Sequence, residues 1–373
     1  AKLFDFVFTT DANCIPRYKH AVGHDRVYPL AFAAQPRLHN PIRVPGYRQK
    51  TVCFAGSYYR NRHPRRREEM DWLLEAGLGF GLEIYDRGFG QRGRGSEDFC
   101  FPERFTSAVV GGVAYQDIVR VYKQYKVFLN VNSVADSPTM FSRRVFELLA
   151  CGTPVVSTPA RAIDELLGRE VVQVVSSAEE ARAVLQRLLA DDGWRERLGL
   201  TGQRLIAAGH TYAHRLHEIA SRLGFQVDAP QPPRISAILW PRGDSDPGAA
   251  AAALYPSGDV GVEFVVVART GEAAATRERL RGLARDESVL VLESASPADG
   301  AWWQESVKAS SGDYLTLLAP GDHYGPRYLD DLVRALSYAD ADAVGKACFL
   351  SVGEGSEVTV TGQGCEYAYT PRL

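Results

Sequence analysis

The sequence predicts an α/β protein with two domains, and three features of the chain lead to this prediction. Strand-length apolar runs alternate with segments of helical periodicity along most of its 373 residues. Residues 126–159 form one clear β-α-β unit, with strands at 127–129 and 155–157. A proline-rich segment at 226–234 separates two such series, and we predict it to be the linker between the domains.

Residues 1–49 are predicted to be part of an incomplete domain followed by a linker. Residues 4–10 have strand composition, and residues 11–20 can form a short helix. Four prolines within 27–50 predict an extended connection. The chain lacks an initiator methionine and enters a strand at once, so we expect a fragment of a longer protein. Three histidines without metal-site spacing are expected at the surface or in the linker of this region: His20, His24 and His39.

The first strand of the next domain is predicted at 51–55, and Gly56 directly after it would let a ligand approach the backbone. A dense basic run follows and leads into a helix over about 65–76. For Arg60 two interpretations stay open: it points into a cleft at the strand end, or it is solvated. The three arginines at the helix start, Arg65, Arg66 and Arg67, are expected to face solvent.

Strands, a loop and a helix are predicted between this helix and the central β-α-β unit. A strand is predicted at 82–85, a glycine- and charge-rich loop at 86–102, and a strand and turn at 105–113 that contains Gly111. An amphipathic helix over 115–125 then leads into the strand at 127–129.

The loop of the central unit lies where parallel sheets bind ligands, beyond the carboxyl end of a strand. It is followed by a helix that ends at Gly152 and Pro154. Arg143 and Arg144 occupy the first turn, where a cation opposes the helix dipole, so they are suited to binding an anion such as a diphosphate. An alternative is a solvent-facing arginine pair with Glu147 as a capping carboxylate.

After the central unit we predict a helix at 160–167, a strand at 171–175, a helix at 177–190 with a Ser-x-x-Glu start, and a helix at 194–223. His210 and His214 have metal-compatible spacing on the last helix, but no glutamate motif accompanies them, and we do not predict a metal site there.

The segment 144–156, Arg-Val-Phe-Glu-Leu-Leu-Ala-Cys-Gly-Thr-Pro-Val-Val, resembles the sugar-donor helix of GT-B glycosyltransferases. Residues 1 to about 225 resemble the CgeB-like (spore maturation protein) glycosyltransferases through the motifs at 54–59, 82–86 and 130–133. The resemblance implies a Rossmann-like GT-B C-terminal domain over 50–225. It also implies that 1–49 holds a remnant of the GT-B N-terminal domain and the linker.

The same resemblance implies roles for individual residues. Glu147 would hold the ribose hydroxyls of a nucleotide sugar, and the turn at Gly111 would lie against the base. The diphosphate would be bound by Arg143 or Arg144 and by backbone amides of the loop, with Gly56 and Arg60 beside it. The loop residues expected at the sugar donor are Ser137, Thr139 and Met140. Many relatives have a second glutamate where this chain has Thr139, so the identity and orientation of the sugar stay open.

The second domain, 235–373, is again predicted to be α/β. Strands are predicted at 235–239, 263–267, 289–292 and 313–318, with a helix-length segment between the first two. The passage 312–326 resembles the metal-binding turn of GT-A glycosyltransferases of the large inverting family. Where that family has an Asp-x-Asp-Asp run, this chain keeps only Asp322, a poor magnesium ligand by itself. The resemblance therefore implies a degenerate or truncated GT-A-like domain, which would need a divalent metal only if it were active.

Composition excludes several classes of partner. The chain has 43 basic and 45 acidic residues, so no overall charge favours nucleic acid or an anionic membrane. No apolar run is long enough to span a bilayer, and no signal peptide opens the chain. Its six scattered cysteines are typical of reduced core thiols, and we expect a cytoplasmic protein.

The resemblance implies a glycosyltransferase that uses a nucleotide sugar, needs no metal in its GT-B domain, and transfers the sugar to an unknown glycan, lipid or protein acceptor. No catalytic base is assigned. A noncatalytic nucleotide-binding or scaffold protein is the alternative, favoured by Thr139 and by Ala319 in place of acids. A GT-B-type epimerase is a third interpretation.

Overall fold

A computed structural model describes residues 3–90, 96–229, 233–240, 261–280, 289–294, 300–319, 321–353 and 357–369. The chain divides into two compact units: 1–229 together with 347–373, and 230–346. The predicted α/β class is confirmed, because each unit contains a parallel sheet with helices between its strands.

The first unit contains a six-stranded parallel sheet of order β5-β4-β3-β6-β7-β8. A separate pair of short parallel strands, β1 and β2, precedes it in the chain. The strands of this unit are Val7–Thr9 (β1), Val27–Pro29 (β2), Lys50–Gly56 (β3), Leu82–Asp86 (β4), Val109–Gly111 (β5), Tyr125–Asn130 (β6), Val155–Ser157 (β7) and Gln173–Val174 (β8).

Eight α-helices are described in this unit. They are Ile15–Val22 (α1), Pro64–Leu78 (α2), Ile118–Gln124 (α3), Arg144–Ala150 (α4), Arg161–Leu166 (α5), Ala178–Ala190 (α6), Asp192–Gly209 (α7) and Tyr212–Arg222 (α8). Within the described part of the chain, no helix has the length and apolar character needed to cross a bilayer.

The large sheet is apolar on both faces. Along β3, Val52 and Phe54 pack into one buried cluster, whereas Cys53 and Ala55 pack into the other. Since side chains alternate across a strand, the two clusters lie on opposite faces of the sheet. This is the expected arrangement for a parallel sheet covered by helices on both sides. Because both faces are buried, the sequences of its strands are continuous apolar runs.

Three predicted elements differ from the structure. Residues 27–29 form β2 within the expected linker, because their backbone pairs with β1. Residues 103–108 form a 3₁₀ segment, so the strand expected over 105–113 is confined to β5. The helix expected over 194–223 is broken at His210, because Thr211 adopts an extended backbone and its side chain caps α8.

The second unit has a four-stranded parallel sheet of order β11-β10-β9-β12 and one buried cluster of its own. The helix-length segment predicted between its first two strands lies outside the described residues. Its strands and helices are Ile235–Leu239 (β9), Val262–Arg269 (β10), Val289–Ser294 (β11), Tyr314–Leu318 (β12), Ala273–Leu280 (α9), Ala301–Ala309 (α10) and Tyr328–Tyr338 (α11).

The end of the chain differs from the predicted domain 235–373, because 347–373 groups with the first unit. Its strands Phe349–Val352 (β13) and Val358–Thr361 (β14) form an antiparallel pair. Two contacts explain the grouping: the Arg43 guanidinium lies 2.7 Å from Glu366, and the Arg43 amide donates to the carbonyl of Tyr367.

Candidate functional site

A cavity of about 800 Å³ lies at the carboxyl ends of β3, β4 and β6. This is the edge of a parallel sheet at which ligands bind, because loops lead from it into helix N-termini. Five of the predicted site residues line the cavity: Gly56, Met140, Arg143, Arg144 and Glu147. The lining also includes Tyr59, Arg66, Tyr85, Arg87, Tyr115 and Tyr122.

The carboxylate of Glu147 is 3% exposed and is held by surrounding side chains. The hydroxyl of Tyr122 donates to its Oε2 at 2.9 Å, and Nε of Arg143 lies 2.8 Å from its Oε1. Nε2 of His39 lies 3.9 Å from the same Oε1. Each carboxylate oxygen has two lone pairs, so Glu147 can still accept hydrogen bonds from a ligand.

His39, expected at the surface or in the linker, is buried against Glu147. Its Nδ1 accepts a hydrogen bond from the Gln35 amide at 3.1 Å, which leaves the ring proton on Nε2, toward Glu147. Burial lowers the pKa of His39, although the nearby carboxylate opposes this shift. The ring is therefore a neutral neighbour of the carboxylate near pH 7.

The guanidinium groups of Arg66 and Arg144 also line the cavity. Arg66 is 7% exposed, and its NH2 donates a hydrogen bond to the carbonyl of Ser57 at 3.1 Å. Among the described residues, no protein atom accepts from Nε or NH1 of Arg66, or from Nε of Arg144. Burial, together with the charge of Arg144, lowers the pKa of Arg66 to about 10. A buried cation with unused donors, such as Arg66, is suited to an anionic ligand.

Gly56 lies between these cations and the sheet. A Cβ at this position would lie 3.1 Å from the ring of Phe54 and 3.7 Å from NH2 of Arg144. The absence of a side chain therefore leaves the backbone at the end of β3 open to the cavity.

Arg66 is the residue of this site that sequence reasoning missed, since it was expected to face solvent with its neighbours. A signal was present. Arg66, Met70, Leu73 and Leu74 follow the i, i+4, i+7, i+8 spacing of one helix face, and all four are buried in α2. Arg66 lies on the buried face of the helix, whereas Arg65 and Arg67 lie on its exposed face, so the helical spacing distinguishes Arg66 and the local charge density does not.

The polar groups of Ser137, Thr139 and Met140, which were expected to bind the sugar donor, form hydrogen bonds within the protein instead. The buried hydroxyl of Ser137 accepts hydrogen bonds from the amides of Thr139 and Met140, at 3.3 and 3.1 Å. These two amides, expected to bind a diphosphate, are therefore already paired. The hydroxyl of Thr139 donates to the carbonyl of Thr10 and accepts from the amide of Ala12, so it joins the loop to the start of the chain.

Arg60 and Gly111 are not among the residues that line the cavity. Arg60 is exposed, and its backbone bonds to the carbonyl of Asp98 and to the side chain of Arg67. Gly111 has a φ of +138° at the end of β5, where the chain turns away from the sheet. Arg143 and Arg144 at the start of α4 thus line the cavity, and after β3 it is Arg66 and not Arg60 that lines it.

Within the described residues, no group of three or more His, Cys, Asp and Glu side chains could hold a metal ion. Asp322 is exposed in a turn after β12, where its amide bonds to the carbonyl of Ala319. A single exposed carboxylate does not fit the octahedral demands of magnesium. The described residues of the second unit therefore do not form the metal site that a GT-A resemblance implies.

Residues 83–221 match the model of a family described as glycosyl transferase-like. The matched range contains Arg143, Arg144 and Glu147, and ends within α8. No curated protein matches the sequence.

Several solved structures are similar to this chain. Sucrose-phosphate synthase from Thermosynechococcus elongatus is 18% identical, with a TM-score of 0.43 over 59% of this chain and 58% of that one. HepE from Anabaena is 16% identical, with a TM-score of 0.45 over 59% and 62%. A glycosyltransferase from Rickettsia africae is 12% identical, with a TM-score of 0.43 over 58% and 63%. The matched region spans about three fifths of each of these proteins. The match to the glycosyl transferase-like family model covers residues 83–221 of this chain.

Proposed function

We propose that this chain carries the sugar-donor domain of a nucleotide-sugar-dependent glycosyltransferase of the GT-B type. The observation that carries the proposal is the juxtaposition of a buried carboxylate, Glu147, and two guanidiniums that have buried donor atoms without a partner, Arg66 and Arg144, in one cavity at the carboxyl edge of a parallel sheet. A nucleoside diphosphate offers the matching groups: ribose hydroxyls for a carboxylate, and a diphosphate for guanidiniums. The glycosyl transferase-like match over 83–221 supports it.

The proposed chemistry is electrostatic. Breaking the bond between sugar and diphosphate develops negative charge on the leaving nucleotide, and preorganised cations lower the energy of that state. Arg144 and Arg66 supply such charge in a low-dielectric site. Glu147 would orient the nucleotide through the ribose. The acceptor, whether glycan, lipid or protein, and any catalytic base are not assigned to residues of this chain.

Finer assignments belong to the same proposal. We place the first unit in the CgeB-like group through the motifs at 54–59, 82–86 and 130–133. We interpret the second unit as a degenerate GT-A-like domain, supported by its parallel sheet and by the lone Asp322. The cytoplasmic location stays a prediction.

Calorimetric titration with UDP, GDP and their sugar conjugates, with and without magnesium, tests the proposal. We expect magnesium-independent binding that Glu147→Gln weakens at least about tenfold, because a charged acceptor for the ribose hydroxyls is lost. Glu165→Gln is the matched control, since Glu165 is an exposed carboxylate that also pairs with an arginine four residues away. Absence of binding by the wild-type chain would overturn the proposal, and equal loss in both variants would remove Glu147 from it.

A noncatalytic nucleotide-binding protein is the second candidate, because the hydroxyl of Thr139 is bonded to the backbone of residues 10 and 12. The two candidates differ in turnover. Release of free sugar or of nucleotide diphosphate from a bound nucleotide sugar, lost in Glu147→Gln, would favour the transferase. Tight binding without turnover, with acceptor extracts added, would favour the noncatalytic protein.

A further inference from the structure

Arg215 of α8 joins two segments that are far apart in the chain. Its Nε donates to the carbonyl of Ala31 at 2.9 Å, and one terminal nitrogen donates to the carbonyl of Phe32 at 3.2 Å. The other terminal nitrogen donates to the carbonyl of Gly209 at 3.3 Å. Because the donors of a planar guanidinium point in fixed directions, these contacts set the position of residues 31–32 relative to the start of α8.

His210, between α7 and α8, provides a further contact. Its Nδ1 lies 3.0 Å from the terminal nitrogen of Arg215 that also bonds to Phe32. Since a guanidinium cannot accept, Nδ1 accepts this hydrogen bond. Burial, together with the charge of Arg215, lowers the pKa of His210 to about 4, so the ring is neutral near pH 7 and able to accept. The same ring packs against Phe146 of α4, with centroids 5.5 Å apart.

Backbone hydrogen bonds hold the same early segment. The amide of Ala34 donates to the carbonyl of His210 at 2.9 Å, and the amide of Tyr212 donates to the carbonyl of Ala34 at 3.1 Å. Ala33 and Ala34 are fully buried. Residues 31–34 are therefore bonded to the junction of α7 and α8 at both ends, and we call them the anchored segment.

The anchored segment contributes Phe32 to the cavity. Of the described residues that line the cavity, Phe32 alone precedes residue 50, and the others lie between 55 and 147. Its side chain is half-buried and packs against the buried cluster that contains Phe141 and Phe146. One part of the ring thus belongs to the core, and the rest is accessible to a ligand in the cavity.

We propose that Arg215 is a positioning residue, which holds the anchored segment so that Phe32 forms an apolar wall for the bound nucleotide sugar. This inference rests on the proposed function and extends the donor site to the part of the chain before residue 50. Phe32 has no polar side-chain atom, so it contributes apolar contact and keeps water from the charged groups of the cavity. Arg215 is not among the lining residues, so it acts through Phe32.

The first test is Arg215→Met, which removes the donors but keeps a side chain of similar length. We expect affinity for UDP or GDP, whichever the wild-type chain binds, to fall about five- to tenfold, because Phe32 is no longer held against the ligand. Arg222→Met is the matched control. Arg222 is an exposed residue of the same helix, and its guanidinium lies 4.8 Å from the ring centroid of Tyr28, which does not line the cavity. Its affinity should stay within about twofold of wild type.

The second test is a double-mutant cycle with Phe32→Ala, titrated at a temperature at which circular dichroism shows every variant folded. Phe32→Ala alone should lower affinity by a similar factor. In that background Arg215→Met should cost less than about a further twofold, because its effect passes through the missing ring. A merely structural role would lower the thermal midpoint without this dependence on Phe32. If Arg215→Met does not fold, Arg215→Lys takes its place, since an ammonium keeps the charge but lacks the fork of donors.

The outcomes separate the two proposals. If the wild-type chain binds no nucleotide, the proposed function is overturned, and the role of Arg215 with it. Binding that is lost in Glu147→Gln but unchanged in Phe32→Ala or in Arg215→Met leaves the function in place and overturns the positioning role. Losses from Phe32→Ala and Arg215→Met that simply add also overturn it, because the two residues would then act independently.

Discussion

Arg66 shows how a single side chain can be suited to binding at the expense of stability. Arg66 is 7% exposed, and the charge of another cation, Arg144, contributes to lowering its pKa. Burying a charge without a counter-ion is unfavourable, and the face of the Tyr59 ring, whose centroid lies 4.6 Å from Cζ of Arg66, compensates only in part. An anionic ligand would supply the missing charge.

Replacing Arg66 should therefore separate stability from affinity. In Arg66→Met we expect the free energy of unfolding to stay constant or to rise by about 1 kcal/mol, because an apolar side chain of similar length replaces a buried charge. Affinity for nucleoside diphosphate should fall about 10- to 100-fold, since a charge-assisted contact is lost. Chemical denaturation and calorimetric titration measure the two quantities.

Arg65→Met is the control for this substitution. Arg65 is exposed and pairs with Glu69 in the same helix, at 2.8 Å, so its loss should change the free energy of unfolding by no more than about 0.5 kcal/mol. Affinity should not change. A destabilised Arg66→Met variant with wild-type affinity would show that Arg66 is a structural cation instead.

At the scale of elements, the position of α4 depends on the long helix α7. The two helices pack closely, and α7 presents Gly199 and Gly202 to the end of α4. A Cβ on Gly199 would overlap the backbone carbonyl oxygen of Gly152, and one on Gly202 would lie 2.9 Å from Leu149. Because α4 carries Arg144 and Glu147, this close approach also positions the cavity.

Gly199→Ala is expected to destabilise the first unit by about 1–3 kcal/mol, because a backbone atom has to move to accommodate the methyl group. Gly209→Ala is the control within the same helix. A Cβ there meets nothing within 4 Å, so alanine should be neutral or should stabilise by up to about 1 kcal/mol through helix propensity. Equal changes in the thermal midpoint of both variants would contradict the close-packing argument.

For the whole molecule, each of the two compact units has a hydrophobic core of its own. Separate cores predict separate cooperative transitions on heating. Nucleoside diphosphate at 100 times its dissociation constant should stabilise only the transition of the first unit, by about 2.7 kcal/mol.

Differential scanning calorimetry of the whole chain tests this prediction. Gly199→Ala should lower the midpoint temperature of the first unit's transition, which is the midpoint that the ligand raises. Leu329→Ala, in the buried cluster of the second unit, should lower the midpoint temperature of the second unit's transition. A single transition that moves in response to both substitutions and to the ligand would show that the units unfold together.

Local patterns were enough to predict the elements and much of the cavity. Alternation of apolar strands with amphipathic helices predicted the α/β class, and a turn-rich loop between a strand and a helix predicted which sheet edge carries the site. Arg144 was predicted to bind an anion because it lies in the first turn of a helix whose start and end are visible in the sequence, whereas the role of Glu147 was implied by the family resemblance. Such features depend on contacts between residues that are close in the chain.

Only the tertiary structure decided which residues contact the polar side chains of the cavity and its loop. His39 and Tyr122 meet Glu147 across 108 and 25 positions of the chain. Thr139, 129 positions from Thr10, uses its hydroxyl to bond to that residue's backbone. Neither relationship leaves a periodic signal, because burial and hydrogen-bond partners arise when distant segments pack together. By itself, therefore, the sequence determined the architecture and the edge of the sheet, and packing decided that Arg66 is buried there with no carboxylate paired to it among the described residues.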